Sequence, residues 1–151
     1  MAALFLLGRV IFGGFFAYNG INHFLQQRTM SDYAASKGVP APDAAVEASG
    51  ALLLAGGISV VAGMMPRQGL AAIVAFLVPV SFKMHRFWEE SDPAKRLVEM
   101  TNFSKNLALA GAALAMMQID EPWPISVDEA KADREEMFVR LGGRDLRSLP
   151  A

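Results

Sequence analysis

The sequence predicts an all-α fold: a four-helix transmembrane up-and-down bundle followed by a C-terminal soluble amphipathic helix. Three observations carry that expectation. Hydrophobic residues make up 53% of the chain and charged residues 19%, against roughly 45–50% and about 25% in a soluble domain. Four apolar segments recur along the 151 residues, a length that suits one domain. Many of the charged residues fall between them or beyond them, in Gln26–Asp43, Arg86–Glu99 and the stretch after Gln118.

The first segment is Leu4–Leu25 and the second is Ala44–Met65, whose single charge is Glu47. Each holds 22 residues, about 33 Å as a helix, enough for a hydrocarbon core of roughly 30 Å. Only Met1–Ala3 precede the first run, and Arg9, Asn19, Asn22 and His23 interrupt it. It therefore reads as a retained helix and not as a signal peptide. The third segment runs from Leu70 to Trp88 and is free of charge only to Phe82; the fourth, Phe103–Met117, contains Lys105. Apolar runs this short also suit a buried helix of a soluble bundle. The second segment decides against that class. Its Leu52–Leu54, Ile58, Val60–Val61 and Met64–Met65 surround the helix and leave no polar face.

The expected organisation is a membrane domain over residues 1–118, with helices near 4–25, 44–65, 69–88 and 102–118. Residues 119–151 form a polar tail. Met65-Pro66-Arg67-Gln68-Gly69 is a tight turn. Gln26–Asp43 and Glu89–Thr101 read as longer connections containing Pro40, Pro42 and Pro93. In the tail, Ser126-Val127-Asp128-Glu129 fits a capping box that starts a charged helix near 126–141, ended by Gly142–Gly143. Its acids read as a solvated face. For packing, Ala51, Ala55, Ser59 and Gly63 form a small-residue stripe, as do Gly111 with Ala115 and Ala108 with Ala112. Gly13–Gly14 and Gly56–Gly57 also read as packing glycines.

Folding the segments up and down brings four polar clusters to one membrane face. Helix one contributes Asn19, Asn22 and His23, and helix two contributes Glu47. Helix three contributes Lys83, His85 and Arg86; helix four contributes Asn102, Lys105 and Asn106. Asn22, His23, Glu47, Lys83, His85, Arg86, Asn102, Lys105 and Asn106 form the candidate binding layer. These groups should turn inward, because an ionisable side chain in hydrocarbon costs at least about 2.5–3.5 kcal/mol. Glu47 is the one acid expected at depth, paired with Lys105 or Lys83 or acting as an N-terminal helix charge. One acid against three bases leaves room for an anion or a polarised carbonyl.

Each group also has a plainer reading. Lys83 and Arg86 can snorkel to the headgroups, and Arg9 is expected to snorkel at the opposite side. His85 beside Phe87–Trp88 reads as an interfacial anchor. The basic residues near the two membrane ends nearly balance, so the positive-inside rule gives no orientation.

Several chemistries find no support. The chain has no cysteine, which removes disulfides, thiolates, iron–sulfur ligation and Cys-type zinc sites. Two histidines supply little for a haem or metal centre. A net charge of −1 gives no nucleic-acid surface. No GxSxG, P-loop, HExxH or GxGxxG pattern is present.

Leu7-Gly8-Arg9-Val10-Ile11-Phe12-Gly13-Gly14-Phe15-Phe16-Ala17-Tyr18-Asn19-Gly20 resembles the first helix of the DoxX-like family. So does Glu47-Ala48-Ser49-Gly50-Ala51-Leu52-Leu53-Leu54-Ala55-Gly56-Gly57 in the second, and His85-Arg86-Phe87-Trp88 with Asn102-Phe103-Ser104-Lys105-Asn106-Leu107-Ala108-Leu109-Ala110-Gly111 further on. The likeness covers roughly Leu4 to Met117 and leaves out the tail. It implies a multi-pass, four-helix protein of the bacterial inner membrane. The family's names come from members associated with quinol oxidase or thiosulfate:quinone oxidoreductase activity. Many relatives carry a lysine shortly after the first Gly pair; here Asn22–His23 occupies that region.

Two functional expectations follow. One is an accessory subunit of a membrane redox system whose polar layer binds a quinone headgroup or an anion. The other is a scaffold whose C-terminal helix recruits a soluble partner. A small-solute or lipid transporter is a third class, without any visible inverted repeat. The expected partners are the lipid bilayer and either redox-complex subunits or that soluble protein, and a homo-oligomer is compatible with the sequence.

Overall fold

The computed structural model describes the backbone of residues 1–145 and side chains as far as Leu141. Six α-helices follow in order: α1 (Ala2–Leu25), α2 (Gln27–Ser36), α3 (Pro42–Ala62), α4 (Pro66–Met84), α5 (Pro93–Met116) and α6 (Val127–Asp145). A 3₁₀ turn, Phe87–Glu89, joins α4 to α5. The described residues contain no strand. Helices α1 and α3, and α4 with the turn after it, are long and apolar enough to cross a membrane. Helix α5, with Lys95, Arg96, Glu99 and Lys105, packs against α4 and supplies the fourth member of the bundle.

Antiparallel contact between α1 and α3 is set by glycine. A Cβ on Gly57 would lie 2.4 Å from the Ala17 nitrogen and 2.5 Å from the Gly13 oxygen. One on Gly20 would lie 2.5 Å from the Leu54 nitrogen. Only hydrogen at these positions lets the two backbones approach this closely. The same logic joins α3 to α4, where a Cβ on Gly56 would sit 2.8 Å from the Gly69 oxygen. Of the expected stripes, Ser59 packs against Gly69 of α4 and Gly63 against the tail, but the remaining members are not packing faces. Ala51, Ala55, Ala108, Gly111, Ala112 and Ala115 are all exposed, because the buried phase of α3 runs through Gly50, Leu53, Gly57 and Val60, and that of α5 through Asn106, Ala110 and Ala113. Gly14, likewise, has open space around it.

The core gathers Phe16, Leu53, Val60, Leu70, Ile73, Leu77, Ala110 and Ala113, with Trp123 of the tail among them. Outside this cluster, large side chains such as Leu4, Ile11, Phe15, Ile58 and Phe82 point outward. For a membrane protein that surface faces lipid.

Both longer connections contain helix. Residues 27–36 form α2, and α5 begins at Pro93 because Asp92 caps it, accepting from the Ala94 and Lys95 amides at 2.8 and 3.3 Å. Asp at the cap with Pro in the first turn is a strong helix start.

The tail closes the opposite end of the bundle. Arg9 is 2% exposed and donates from Nη2 to the Ile125 carbonyl; it does not snorkel. A Cβ on Gly63 would collide with both Arg9 and Ser126, so the tail seats directly on that turn. Arg67 donates to the carbonyls of Met117 and Ile119, and the Asp128 carboxylate accepts from the Met65 amide at 2.8 Å. Met65 and Ile125 both have positive φ, a strained choice for these residues. These bonds, with Glu129 accepting from the Ile125 amide, hold them there. Ser126 caps α6 by accepting from the Glu129 amide at 3.0 Å. Helix α6 runs through Gly142 and Gly143 to Asp145 instead of stopping at them.

Candidate cavity at the polar end of the bundle

At the end marked by His23, the helices splay around a cavity of about 640 Å³. Its walls come from α1, α2, α3 and α4 and are mainly apolar: Met30, Val39, Val46, Leu52, Phe76 and Val80 among them. His23, Tyr33, Ser49, Lys83 and His85 interrupt that lining. Pockets of roughly 300–1,000 Å³ with few polar groups suit small organic ligands.

Helical phase places each group. His23 stands at the foot of α1, where Gly50 of α3 leaves room: a Cβ on Gly50 would lie 2.8 Å from the His23 Cβ. Ser49 donates its hydroxyl proton to the Val46 carbonyl at 2.9 Å, so its oxygen is free to accept from His23 Nδ1, also 2.9 Å away. The Val46 carbonyl, 3.3 Å from Nδ1, can only accept. A neutral His23 therefore carries its proton on Nδ1 and leaves Nε2 as a bare acceptor. The ring meets Phe76 edge-on at 5.8 Å between centroids.

Two features of α4 complete the wall. Pro79 has no amide proton, which leaves the Ala75 carbonyl without its helical donor, and both residues line the cavity. Lys83, at the last turn of α4, lies beside Gly38, where a Cβ would be 3.8 Å from its Nζ. Among the described residues Lys83 has no acid partner. The cavity thus offers an acceptor among apolar walls and, at its exposed rim, a cation without an acid partner.

The acid bound between helices at this end is Glu99, not Glu47. Glu99 accepts from Lys37 at 3.0 Å and stands 2.7 Å from His85 Nδ1. Burial pushes its carboxyl up, but the hydrogen bonds from His85 and Lys37 outweigh that and hold it below the usual glutamate range. The bond to Glu99 holds the Lys37 ammonium above its ordinary value despite some desolvation. His85 is therefore more than an interfacial anchor: it ties the end of α4 to α5, while Lys37 ties on α2. An aromatic cluster of Phe82, Phe87, Trp88 and Phe103 flanks that junction.

Of the nine residues in the expected polar layer, His23, Lys83 and His85 line the cavity. Glu47 is exposed and reaches only Gln27, at 3.5 Å. It pairs with neither Lys83 nor Lys105, because one turn into α3 it faces outward while Val46 and Gly50 face in. Arg86 pairs with Glu89 at 2.9 Å, and exposed Lys105 donates to Asn102 of its own helix at 3.1 Å. Asn106 is buried in α5 and Asn22 is half-buried in α1, away from the cavity lining. Glu99, Lys37, Tyr33 and Ser49 lie outside the expected layer. The Asp92-Pro93 start was the available signal for Glu99, since it extends the last helix back past that residue.

A family model described as DoxX matches residues 4–86. It spans α1 to the end of α4 and so includes every cavity-lining residue. Searches among curated proteins and among solved structures found no match.

Proposed function

The chain belongs to the DoxX family of membrane proteins, and from that premise we propose that it is an accessory subunit of a redox system in the bacterial inner membrane, holding a quinone-type headgroup in the α1–α4 cavity. One observation carries the reading: an apolar cavity of about 640 Å³ that presents a bare His23 Nε2 and an unpaired Lys83. The ammonium suits a quinone carbonyl or its semi-reduced oxygen, and the imidazole suits a quinol hydroxyl. Apolar walls accept the ring and the start of its tail. The fixed Nδ1 proton holds His23 in the accepting tautomer. Binding and proton exchange at the headgroup are what this chain contributes, and electrons pass through the redox partner that it serves.

The test is a titration of the detergent-purified protein with a short-chain benzoquinone analogue, read by thermal unfolding and by equilibrium binding. Saturable binding with a raised Tm is expected. Lys83→Met and His23→Leu should weaken binding severalfold, whereas Lys105→Ala, outside the cavity, should not. A wild-type protein indifferent to the analogue would end this reading.

A further inference from the structure

Helix α6 leaves the bundle at a defined level. Its N-cap Ser126 is buried, Asp128 accepts from the Met65 amide in the α3–α4 turn, and Arg9 holds Ile125 just before it. That turn ends two membrane-spanning helices, so α6 begins at the edge of the lipid-facing surface. From Ala130 to Leu141 every residue of α6 is exposed.

Its residues are segregated by phase. Val127, Ala130, Met137, Phe138 and Leu141 fall on one arc of the helix. Phe138 is 78% exposed and Met137 58%. Between Val127 and Leu141, Arg134 lies within that arc and no acid does; Lys131, at its edge, pairs with Asp128 at 3.6 Å. Asp128, Glu129, Asp133, Glu135 and Glu136 all lie elsewhere around the helix, with Arg140 among them and paired to Glu136 at 3.7 Å. Val139 is the one large apolar residue off the arc. Over Val127–Leu141 a face that combines Phe, Met and Leu with Arg and Lys and no acid is complementary to phosphate headgroups over hydrocarbon. Long Arg and Lys stems can follow the apolar side chains and keep their charged tips among the phosphates.

We propose that α6 lies in the plane of the membrane interface, with Met137, Phe138 and Leu141 immersed below the headgroups and Arg134 and Lys131 among the phosphates. The occupant of this face is the bilayer that already surrounds the bundle. The helix makes the lipid contact of the spans continuous with a surface float, and Asp133, Glu135 and Glu136 point to water.

The chain has no cysteine, so single nitroxide labels can be placed without background. Phe138→Cys, Leu141→Cys and Glu136→Cys would each be labelled in the full chain. They would be reconstituted in nanodiscs of phosphatidylcholine with phosphatidylglycerol. Collision with oxygen and with a water-soluble nickel chelate reports depth. Positions 138 and 141 should be oxygen-accessible and protected from nickel severalfold relative to position 136. Free nickel access at both 138 and 141 would place the helix in water, open to a soluble partner, and overturn the proposal. Protection of both from oxygen as well as nickel would indicate burial against protein, including a second copy, and would overturn it equally. The cavity lies at the other end of the bundle, so neither result bears on quinone binding.

Discussion

His85 Nδ1 lies 2.7 Å from the Glu99 Oε2 across the junction of α4 and α5. The other oxygen of Glu99 accepts from Lys37 of the segment after α2. One carboxylate thus fastens three elements around the mouth of the cavity. Hydrogen bonds to charged groups of this kind contribute about 1.5–3 kcal/mol each.

Glu99→Gln should lower stability by about 2 kcal/mol and loosen α2. The pH dependence follows from the shifts. Glu99 has a depressed pKa in the folded protein, so its contribution is present above the ordinary glutamate value and is lost as pH falls through the folded value. Lys37 has a raised pKa, so its contribution is complete below the ordinary lysine value and is lost as pH rises through the folded one. Thermal unfolding from acid to alkaline pH should show both edges in wild type, and both flattened in Glu99→Gln.

The α1–α3 contact gives a paired test. Gly57→Ala would place a methyl 2.4 Å from the Ala17 nitrogen, forcing two backbones apart. Overpacking of this sort costs about 1–3 kcal/mol. Gly14→Ala meets nothing within 4 Å and should gain about 0.5–1 kcal/mol from helix propensity. Unfolding in mixed micelles separates them; equal losses would show that α1 and α3 do not meet through Gly57.

Arg9→Leu should release the tail. The buried guanidinium is a clamp on Ile125, and Trp123 beside it packs edge-on against Phe5 at 5.2 Å. Limited proteolysis of the variant should cut between Gln118 and Ser126, where the wild type resists. Truncation at Asp120 would remove Trp123 from the core and is expected to destabilise the bundle.

Ala48→Phe should fill the cavity from α3, since Ala48 lines it while being otherwise exposed. The variant is expected to unfold like wild type yet lose the Tm rise with a quinone analogue. Retention of that rise would move the binding site elsewhere.

Much of the fold was legible without coordinates. Segments α1, α3 and α4 declare themselves because a span must be apolar over some twenty residues, and interruption by Pro and Gly marks where it ends. The convergence of His23, Lys83 and His85 on one end follows from alternating helix direction alone. Pairing was not legible. Glu47 and Glu99 differ little as sequence, yet one faces outward and the other accepts two hydrogen bonds, because small changes in helix start and phase rotate a side chain across the bundle.

What the sequence determined by itself is the class of the molecule: an all-helical membrane protein, with motifs that resemble the DoxX family. Composition and hydropathy are additive along the chain, and they suffice for the helical membrane class, while the motifs carry the family likeness. Only the tertiary structure decided that Arg9 is buried under the tail, that Gly20 and Gly50 join Gly13 and Gly57 in setting the helix spacing, and that the polar end opens into a cavity. Those depend on which atoms, distant in sequence, come within a few ångströms. Short-range contact and hydrogen-bond direction, not the chain's own periodicity, assign each polar group its partner.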